Sequence, residues 1–295
     1  RANRCNAMVL ENRKRNVSGE MRSRVSGWLH GLVRVLLVCA VAPSLFAAPG
    51  DIDSGFGVGG WRTVEARYFS YSAGLVLDPS GNSFSAVTCQ EMEGDCRFAV
   101  LKLDSNGNPA SGFGTDGKQT IDVSGAGFDV AKALVLDGAG NVYVTGRVGE
   151  PGSPSLERIG VVKLDGSGNL VPDFGVGGKL VLPLGSPSGW ATATGIARDG
   201  QGSLYVAGTE NNAVVVFQLD RNGRPVTAFG IDGKATIPDG PHVAAFAVDA
   251  TGNCYLAGAK ERPGSGWNPR TRFALFKLDI TGNGAAGFGV GGLKL

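Results

Sequence analysis

Histidine is almost missing from this chain, which contains only 2 in 295 residues, and His242 is the only one after residue 48. That count excludes a metal site built from several histidines in this part of the chain. A Ser-His-Asp triad would need His242, yet G-x-S-x-G is absent and GSPSG at 185–189 has proline at the nucleophile position. We therefore find no catalytic motif. His242 follows Pro241 in a loop and remains a candidate ligand-binding residue.

Cysteine is also scarce, and the chain has no C-x-x-C pair. Cys89 and Cys96 flank QEMEGD between two expected strands, so both lie near the base of one hairpin loop. They are close enough there to bridge, and export would permit oxidation, so we predict a Cys89–Cys96 disulfide. Cys254, within GNCYLAG, is expected to act as a small buried hydrophobic residue.

A long apolar run is missing too, because VLLVCAVA at 35–42 is far shorter than the ~20 residues that a membrane span needs. A basic segment from Met21 precedes it, and small residues around Ala47 and Ala48 follow, as in a secretory signal peptide. We interpret 1–48 as a leader, made of an upstream extension and this signal peptide. The mature protein is then expected to be secreted, periplasmic or on the cell surface, with no membrane span; an uncleaved anchor is the alternative.

Residues 49–295, which follow the leader, carry no excess of positive charge. The formal net charge of +2 depends on the leader, since residues 49–295 contain more acidic than basic side chains. A mildly acidic domain gives no electrostatic reason to bind nucleic acid. Glycine is abundant, with 48 residues, while apolar residues are not depleted. This composition favours many short strands joined by tight turns.

Many of the glycines belong to a repeat. GFGVGG at 55–60 matches the G-x-G-x-x-G pattern of dinucleotide-binding loops, but similar segments recur, and strand-like residues follow them instead of a helix. The phenylalanines at the shared position are Phe56, Phe113, Phe174, Phe229 and Phe288. Five cofactor loops in one chain are implausible. We therefore expect no cofactor of this kind, and we predict that these rings are buried and equivalent, packed between adjacent repeats.

Each repeat also contains two turns of the form Asp-x-x-Gly, as in LVLDGAGN at 134–141 and VVKLDGSGN at 161–169. Aspartate at the turn start and glycine in a left-handed position favour hairpins. A Ca²⁺ loop is the alternative, although no downstream acid is placed to complete it. Four short alternating strands per repeat predict an all-β fold, a β-propeller of four-stranded antiparallel blades. A β-solenoid is the alternative fold.

The order of these elements identifies a family resemblance. FGxGGK, then xLxxDxxGNxYVxG, then FxxxKLDxxGxx at a period near sixty resembles the delta-60 repeat family of bacterial secreted proteins, and is similar to NHL repeats. The resemblance covers 49–295, and the repeats start near 54, 111, 172, 227 and 286. It implies a propeller-like fold, an innermost strand before DxxGN, and no established activity.

The connections between strands fall into two sets. The Asp-x-x-Gly turns hardly vary, whereas the connections at the opposite strand ends differ in length and content, and such variable loops usually carry binding. The candidate ligand-binding residues among them are Tyr68, Tyr71, Trp190, His242 and Trp267. They indicate a secreted, non-catalytic binding or protein-interaction propeller with a protein or carbohydrate ligand. The alternative is a propeller enzyme, a lyase or lactonase-like hydrolase with a metal in the central channel. The aromatic residues are equally consistent with packing between blade edges.

The sequence contains one more outer-strand segment than it has blades. By the NHL-like resemblance, the strand after each FGxGG is outermost, and the outer strands of blades one to four are 117–122, 178–183, 233–238 and 291–295. Segment 59–64 then has no blade of its own. We therefore expect about four blades plus an extra strand, in a truncated chain that forms an open arc or a strained four-blade ring.

Overall fold

The described part of the fold is built from β-strands. A computed structural model describes residues 51–65, 70–90, 95–125, 127–150, 152–185, 189–261 and 271–295. These residues form sixteen strands in four antiparallel four-stranded sheets, without a helix among them. A helix able to cross a membrane is accordingly not found in the described ranges. The predicted all-β architecture of four propeller-type blades is confirmed.

The strands follow one plan in every blade. Blade one contains β1 (Ser70–Leu77), β2 (Ser83–Gln90), β3 (Cys96–Leu103) and β4 (Lys118–Ile121). Blade two contains β5 (Val130–Leu136), β6 (Val142–Glu150), β7 (Ser153–Leu164) and β8 (Lys179–Val181). Blade three contains β9 (Ala191–Arg198), β10 (Leu204–Glu210), β11 (Ala213–Leu219) and β12 (Lys234–Ile237). Blade four contains β13 (His242–Val248), β14 (Cys254–Glu261), β15 (Thr271–Leu278) and β16 (Leu293–Lys294). Within each sheet, neighbouring strands pair in chain order.

The Asp-x-x-Gly elements are hydrogen-bonded turns. In the turn after β1, Asp78 Oδ1 accepts hydrogen bonds from the backbone N–H groups of Ser80 and Asn82, each at 2.9 Å. The Oδ2 atom accepts one from Nδ2 of Asn82 at 2.7 Å. Gly81 has a φ of 81°, a left-handed conformation that favours glycine. Both carboxylate oxygens are therefore engaged by the turn itself, which is the geometry of an Asx turn.

These turns make folding stability depend on pH. Burial alone would raise the pKa of Asp249, but hydrogen bonds from Thr251 and Asn253 outweigh it and lower the pKa below its usual value. The carboxylates of four other turns, Asp78, Asp137, Asp165 and Asp279, have lowered pKa values under the same opposing effects. The charged form is thus favoured in the folded state. Its contribution is complete above the unfolded pKa and is lost as the pH falls through the lowered folded pKa.

We predict that the urea midpoint falls when the pH drops from neutral to below about 4, the usual aspartate range. The contribution of Asp129 to the pH dependence of stability has the opposite sign. Burial raises the pKa of Asp129, so the protonated form is favoured in the folded state. Because only this one carboxylate opposes several turn carboxylates, we expect a net loss of stability in acid. Replacement of Asp249 with asparagine, which keeps an acceptor oxygen but not the charge, should reduce the pH sensitivity. An unchanged midpoint in acid would contradict the assignment.

The blades are held together by three apolar clusters, each of which lies between two neighbouring blades. The inner strands β1, β5, β9 and β13 pack against one another in that order. An aromatic pair in edge-to-face contact lies in each cluster, with ring centroids 5.7 to 5.9 Å apart: Phe84–Phe113, Tyr143–Phe174 and Tyr205–Phe229. Edge-to-face geometry suits the quadrupoles of aromatic rings. The core therefore consists of three separate interfaces between neighbouring blades, which we call joints, and not of one central cluster.

The repeated phenylalanines differ by their place in the series. Phe113, Phe174 and Phe229 are at most 1 % exposed. Phe56 and Phe288, at the two ends, are only half-buried. The expectation of five buried, equivalent rings therefore needs correction at Phe56 and Phe288. The physical reason is that each internal ring is enclosed by two blades, whereas a terminal ring has a blade on one side only.

A backbone hydrogen bond accompanies each joint. The glycine after the phenylalanine donates its N–H to a carbonyl in an Asp-x-x-Gly turn of the next blade. These bonds are Gly114 N to Ser167 O (2.9 Å), Gly175 N to Asn222 O (2.9 Å) and Gly230 N to Thr281 O (2.8 Å). We call the segment around each phenylalanine the Phe–Gly loop. The loop of one blade thereby fixes the position of the blade that follows.

The N-terminal Phe–Gly loop makes the same contact without a blade of its own. Gly57 N donates to Asn106 O of blade one at 2.7 Å. In the predicted extra strand 59–64, only Trp61 forms a bridge, with Val58, and 62–65 pair with no sheet. Among the described residues, no buried cluster joins blade four to blade one. The four blades thus form an open arc.

Candidate functional site

The two edges of the arc have different chemistry. At one edge, which we call the turn end, lie the Asp-x-x-Gly turns; at the other, the loop end, the inner strands begin. Exposed aromatic side chains gather at the loop end: Tyr71 near the start of β1, Phe128 just before β5 and Trp190 just before β9. His242 is exposed at the start of β13. Successive blades therefore each present one ring at the same end of the inner strand.

Trp190 is held by contacts from two directions. Its backbone N–H donates to Asn211 Oδ1 at 3.0 Å, and its carbonyl accepts from Asn211 N at 3.1 Å. The neighbouring carbonyl of Gly189 accepts from Arg158 Nη1 of blade two at 2.9 Å. The side chain itself stays 40 % exposed. An exposed ring on a fixed backbone loses little conformational entropy when a ligand binds.

Phe128 is positioned by blade one. The backbone N–H of Asp129 donates to the Cys96 carbonyl at 2.9 Å, and Cys96 N donates to Gly127 O at 2.7 Å. The Asp129 carboxylate is buried and accepts from Val123 N at 2.6 Å and from Ser124 Oγ at 2.7 Å. Burial raises the pKa of Asp129 in spite of these hydrogen bonds. This carboxylate therefore orders the segment before Phe128, and it faces the protein interior.

Several charged side chains near the loop end form ion pairs with one another. Arg147 Nη1 and Glu157 Oε1 are 2.6 Å apart across β6 and β7, and Arg158 pairs with Glu150. These pairs lie on the long hairpin formed by β6 and β7. In blade three the buried Glu210 pairs with Lys234. Paired charges of this kind position the loops.

Three of the five predicted binding residues lie at the same end of the sheets. Tyr71, Trp190 and His242 all lie at the loop end, as described above. Tyr68 and Trp267 lie outside the described residues. Three residues that sequence reasoning did not single out also belong here: Phe128, Asn211 and Arg158. The Asn-Asn pair at 211–212, with φ values of 47° and 69°, signals a tight turn that brings the Asn211 side chain back to Trp190.

The cysteine register argues against the predicted Cys89–Cys96 disulfide. In the antiparallel pairing of β2 with β3, Cys89 lies opposite Arg97 and Cys96 lies opposite Gln90. Alternate residues of a strand project to opposite faces, so the two cysteines point to opposite sides of blade one. Cys89 is buried beside Val87 and Ala99. Cys254 is fully buried, in the role that the sequence suggested for it.

A cavity of about 540 Å³ lies at the outer joint between blades three and four, lined by Gly230, Lys234, Thr281 and Asn283 among others. It belongs to the Phe–Gly loop contact and not to the loop end. Within the part of the chain that the structure describes, no group of three or more His, Cys, Asp or Glu residues is arranged to hold a metal ion.

Comparisons with known proteins assign neither a family nor a function to the chain. No protein-family model and no curated protein matches the chain. A solved glucose dehydrogenase is similar at 14 % identity and a TM-score of 0.36, over 70 % of this chain and 63 % of that chain. A protein from Lactobacillus plantarum is similar at 15 % identity and a TM-score of 0.33, over 76 % of this chain and 70 % of that chain. The chain thus spans less than two thirds of the dehydrogenase, and neither likeness assigns an activity.

Proposed function

We propose that this protein is a secreted, non-catalytic binding propeller, and that its ligand surface is the loop end. One observation carries the proposal: Tyr71, Phe128, Trp190 and His242 are exposed at the same ends of four successive inner strands. Aromatic residues are favoured as anchors in binding surfaces because they bury a large area and lose few rotamers. Such residues on a rigid sheet scaffold form a surface that is ready to bind.

The arrangement favours an extended ligand. Packed sheets lie roughly 10 Å apart, so rings on neighbouring inner strands are separated by about one blade thickness. One ring per blade then offers several contacts along a line and no single deep pocket. An oligosaccharide or an extended peptide has this shape. Both present surfaces that stack on aromatic faces and accept hydrogen bonds at the rim.

The test is binding of the purified protein to a glycan array and to a peptide array, followed by titration of the best binder. We predict that Trp190→Ala weakens binding by about tenfold or more, as for a buried aromatic anchor. Trp61→Ala is the matched control, because Trp61 is also exposed but lies in the N-terminal Phe–Gly loop. Equal effects of the two substitutions, or binding that neither changes, would overturn the proposed surface.

A further inference from the structure

The cavity between blades three and four is a cleft at the turn end, away from the exposed rings. Its volume of about 540 Å³ lies within the range of small-molecule sites, roughly 300–1,000 Å³. One wall belongs to blade three and includes Ala228, Ile231 and Ala235, and the other wall is the turn 281–283 of blade four. The cleft is therefore a second concave surface, separate from the loop end.

Small side chains open this cleft. Three of its lining residues are smaller than their equivalents in the joint between blades two and three: Ala228 for Asp173, Ala235 for Leu180 and Asn283 for Arg224. In that joint, Leu180 Cδ2 would lie 3.3 Å from a Cβ atom on Gly223, the turn glycine of the next blade. Ala235 has no atom beyond Cβ to occupy the equivalent space. The joint between blades three and four therefore keeps its backbone hydrogen bond and leaves room beside it.

No charged side chain enters the cleft. Lys234 is the only charged residue among those that line it, and its ammonium group pairs with Glu210 and lies 5.5 Å from the centroid of Phe217. Phe217 belongs to the cluster between blades two and three, whereas Ala235 belongs to the one between blades three and four. Because adjacent residues of a strand project to opposite faces, the Lys234 side chain lies on the far side of blade three. The cleft thus favours a neutral ligand, since a charged one would lose hydration without a counter-charge.

The wall from blade four carries hydrogen-bonding groups that are held in place. Asn283 Nδ2 donates to Thr281 Oγ1 at 2.9 Å, and Thr281 Oγ1 donates to Asp279 Oδ1 at 2.7 Å. In blade two the equivalent Asn169 donates instead to the carboxylate of Asp165, at 3.2 Å. The threonine hydroxyl therefore orients the Asn283 amide at the cleft, and the amide oxygen can accept a hydrogen bond from a ligand. Groups that are ordered in advance reduce the entropic cost of binding.

We propose that this cleft binds a single neutral pyranose ring, either as a free sugar or as the end of a glycan. A pyranose has an apolar face of C–H groups and an edge of hydroxyl groups. The apolar face matches Ala228 and Ala235 on blade three, and the hydroxyl edge matches Thr281 and Asn283 on blade four. A ring between two walls of different polarity leaves neither its C–H face nor its hydroxyl groups without a partner.

Titration of the purified protein with sugars, followed by NMR of the backbone amide groups, tests the proposal. The probes are glucose, galactose and mannose, each as the free sugar and as its methyl glycoside, and glycerol is the control that has hydroxyl groups but no ring. We expect at least one sugar to shift the amide resonances of Gly230 and Gly282 in the millimolar range, and glycerol to shift neither. Binding of the free sugar alone identifies a monosaccharide, and equal binding of the methyl glycoside identifies the end of a glycan.

Three results of this titration would overturn the inference: no shift with any sugar, equal shifts with glycerol, or shifts confined to the surroundings of Trp190. The last result would place the sugar at the loop end and would leave the proposed function intact. Conversely, loss of glycan or peptide binding at the loop end would not affect the shifts of Gly230 and Gly282, so the two proposals fail separately.

A substitution that fills the cleft provides a second test. Ala235→Leu introduces the residue that blade two has at this position and should weaken sugar binding by at least about tenfold. Gln119→Leu is the matched control, because Gln119 is the equivalent residue of blade one and lies outside the cleft. It should leave sugar binding unchanged. Equal effects of the two substitutions, or full binding by Ala235→Leu, would overturn the assignment of the sugar to this cleft.

Variants of Thr281 test the polar wall without a change in packing volume at Ala235. Thr281→Val keeps the shape of the side chain but removes the hydroxyl that orients Asn283, and it should weaken sugar binding by about threefold to tenfold, as for one hydrogen bond. Thr281→Ser restores the hydroxyl and should bind as the unaltered protein does. Thermal unfolding shows that each variant is folded. Identical affinities of the valine and serine variants would contradict the role of this hydroxyl in the site.

Discussion

Replacement of Phe174 with alanine is expected to lower the free energy of unfolding by about 3–5 kcal/mol, the range for a fully buried phenylalanine. Phe174 is 0 % exposed and lies edge-to-face with Tyr143 in the joint between blades two and three. Truncation removes this contact and leaves a cavity that the two flanking sheets cannot close without a shift. Urea unfolding followed by circular dichroism measures the loss.

The control is the same substitution at the end of the series. Phe288→Ala removes an identical side chain from the equivalent position, but this ring is only half-buried. We expect a loss of about 1 kcal/mol there, in proportion to the smaller apolar area that is withdrawn from water. Equal losses at the two positions would mean that the joint between blades two and three does not enclose Phe174 as described.

Gly175→Ala should lower the free energy of unfolding nearly as much as Phe174→Ala, although it adds only one methyl group. Gly175 has a φ of 58°, and a Cβ atom would lie 2.2 Å from the carbonyl oxygen of Lys179. The left-handed conformation costs about 1–2 kcal/mol for alanine. Relief of the backbone overlap adds about 1–3 kcal/mol, as in other overpacked sites. The hydrogen bond from Gly175 N to Asn222 O would be strained as well.

A substitution at Gly177, two residues later in the same loop, distinguishes the cost of the left-handed conformation from the cost of the overlap with Lys179. Its φ is 61°, but nothing lies within 4 Å of the place where a Cβ atom would be. Gly177→Ala should therefore lose only the conformational cost of about 1–2 kcal/mol. Thermal and urea unfolding of both variants give the comparison. If Gly177→Ala proves as destabilising as Gly175→Ala, the close approach to Lys179 is not the cause.

Local patterns predicted the blades because the decisive forces are local. The Asp78 turn needs only aspartate, glycine and asparagine within five residues, and its hydrogen bonds are all internal. Alternation of apolar residues then fixes which side of each strand faces a neighbouring blade. Both signals recur in every repeat, so the strand order could be read before the structure was known.

The exposed surface was harder to predict, because it depends on contacts between distant residues. Trp190 is fixed through the Gly189 carbonyl by Arg158, which lies on another blade. Proximity along the chain suggested the disulfide, whereas the pairing of Cys89 with Arg97 directs the Cys89 and Cys96 side chains to opposite faces of the sheet. Likewise, the five repeated phenylalanines look alike in sequence. Only the presence or absence of a blade on each side distinguishes Phe174 from Phe288.

The joint between blades has an evolutionary consequence. The carbonyl that receives each Phe–Gly loop belongs to Asn106, Ser167, Asn222 or Thr281, four positions with three different side chains. Because the bond uses the backbone, a mutation at these positions leaves the acceptor in place. Duplicated copies of the unit can therefore diverge at the receiving turn and still dock on their neighbours. Gain or loss of a whole unit by recombination would leave this hydrogen bond available at the new junction, whatever side chain stands at the receiving position.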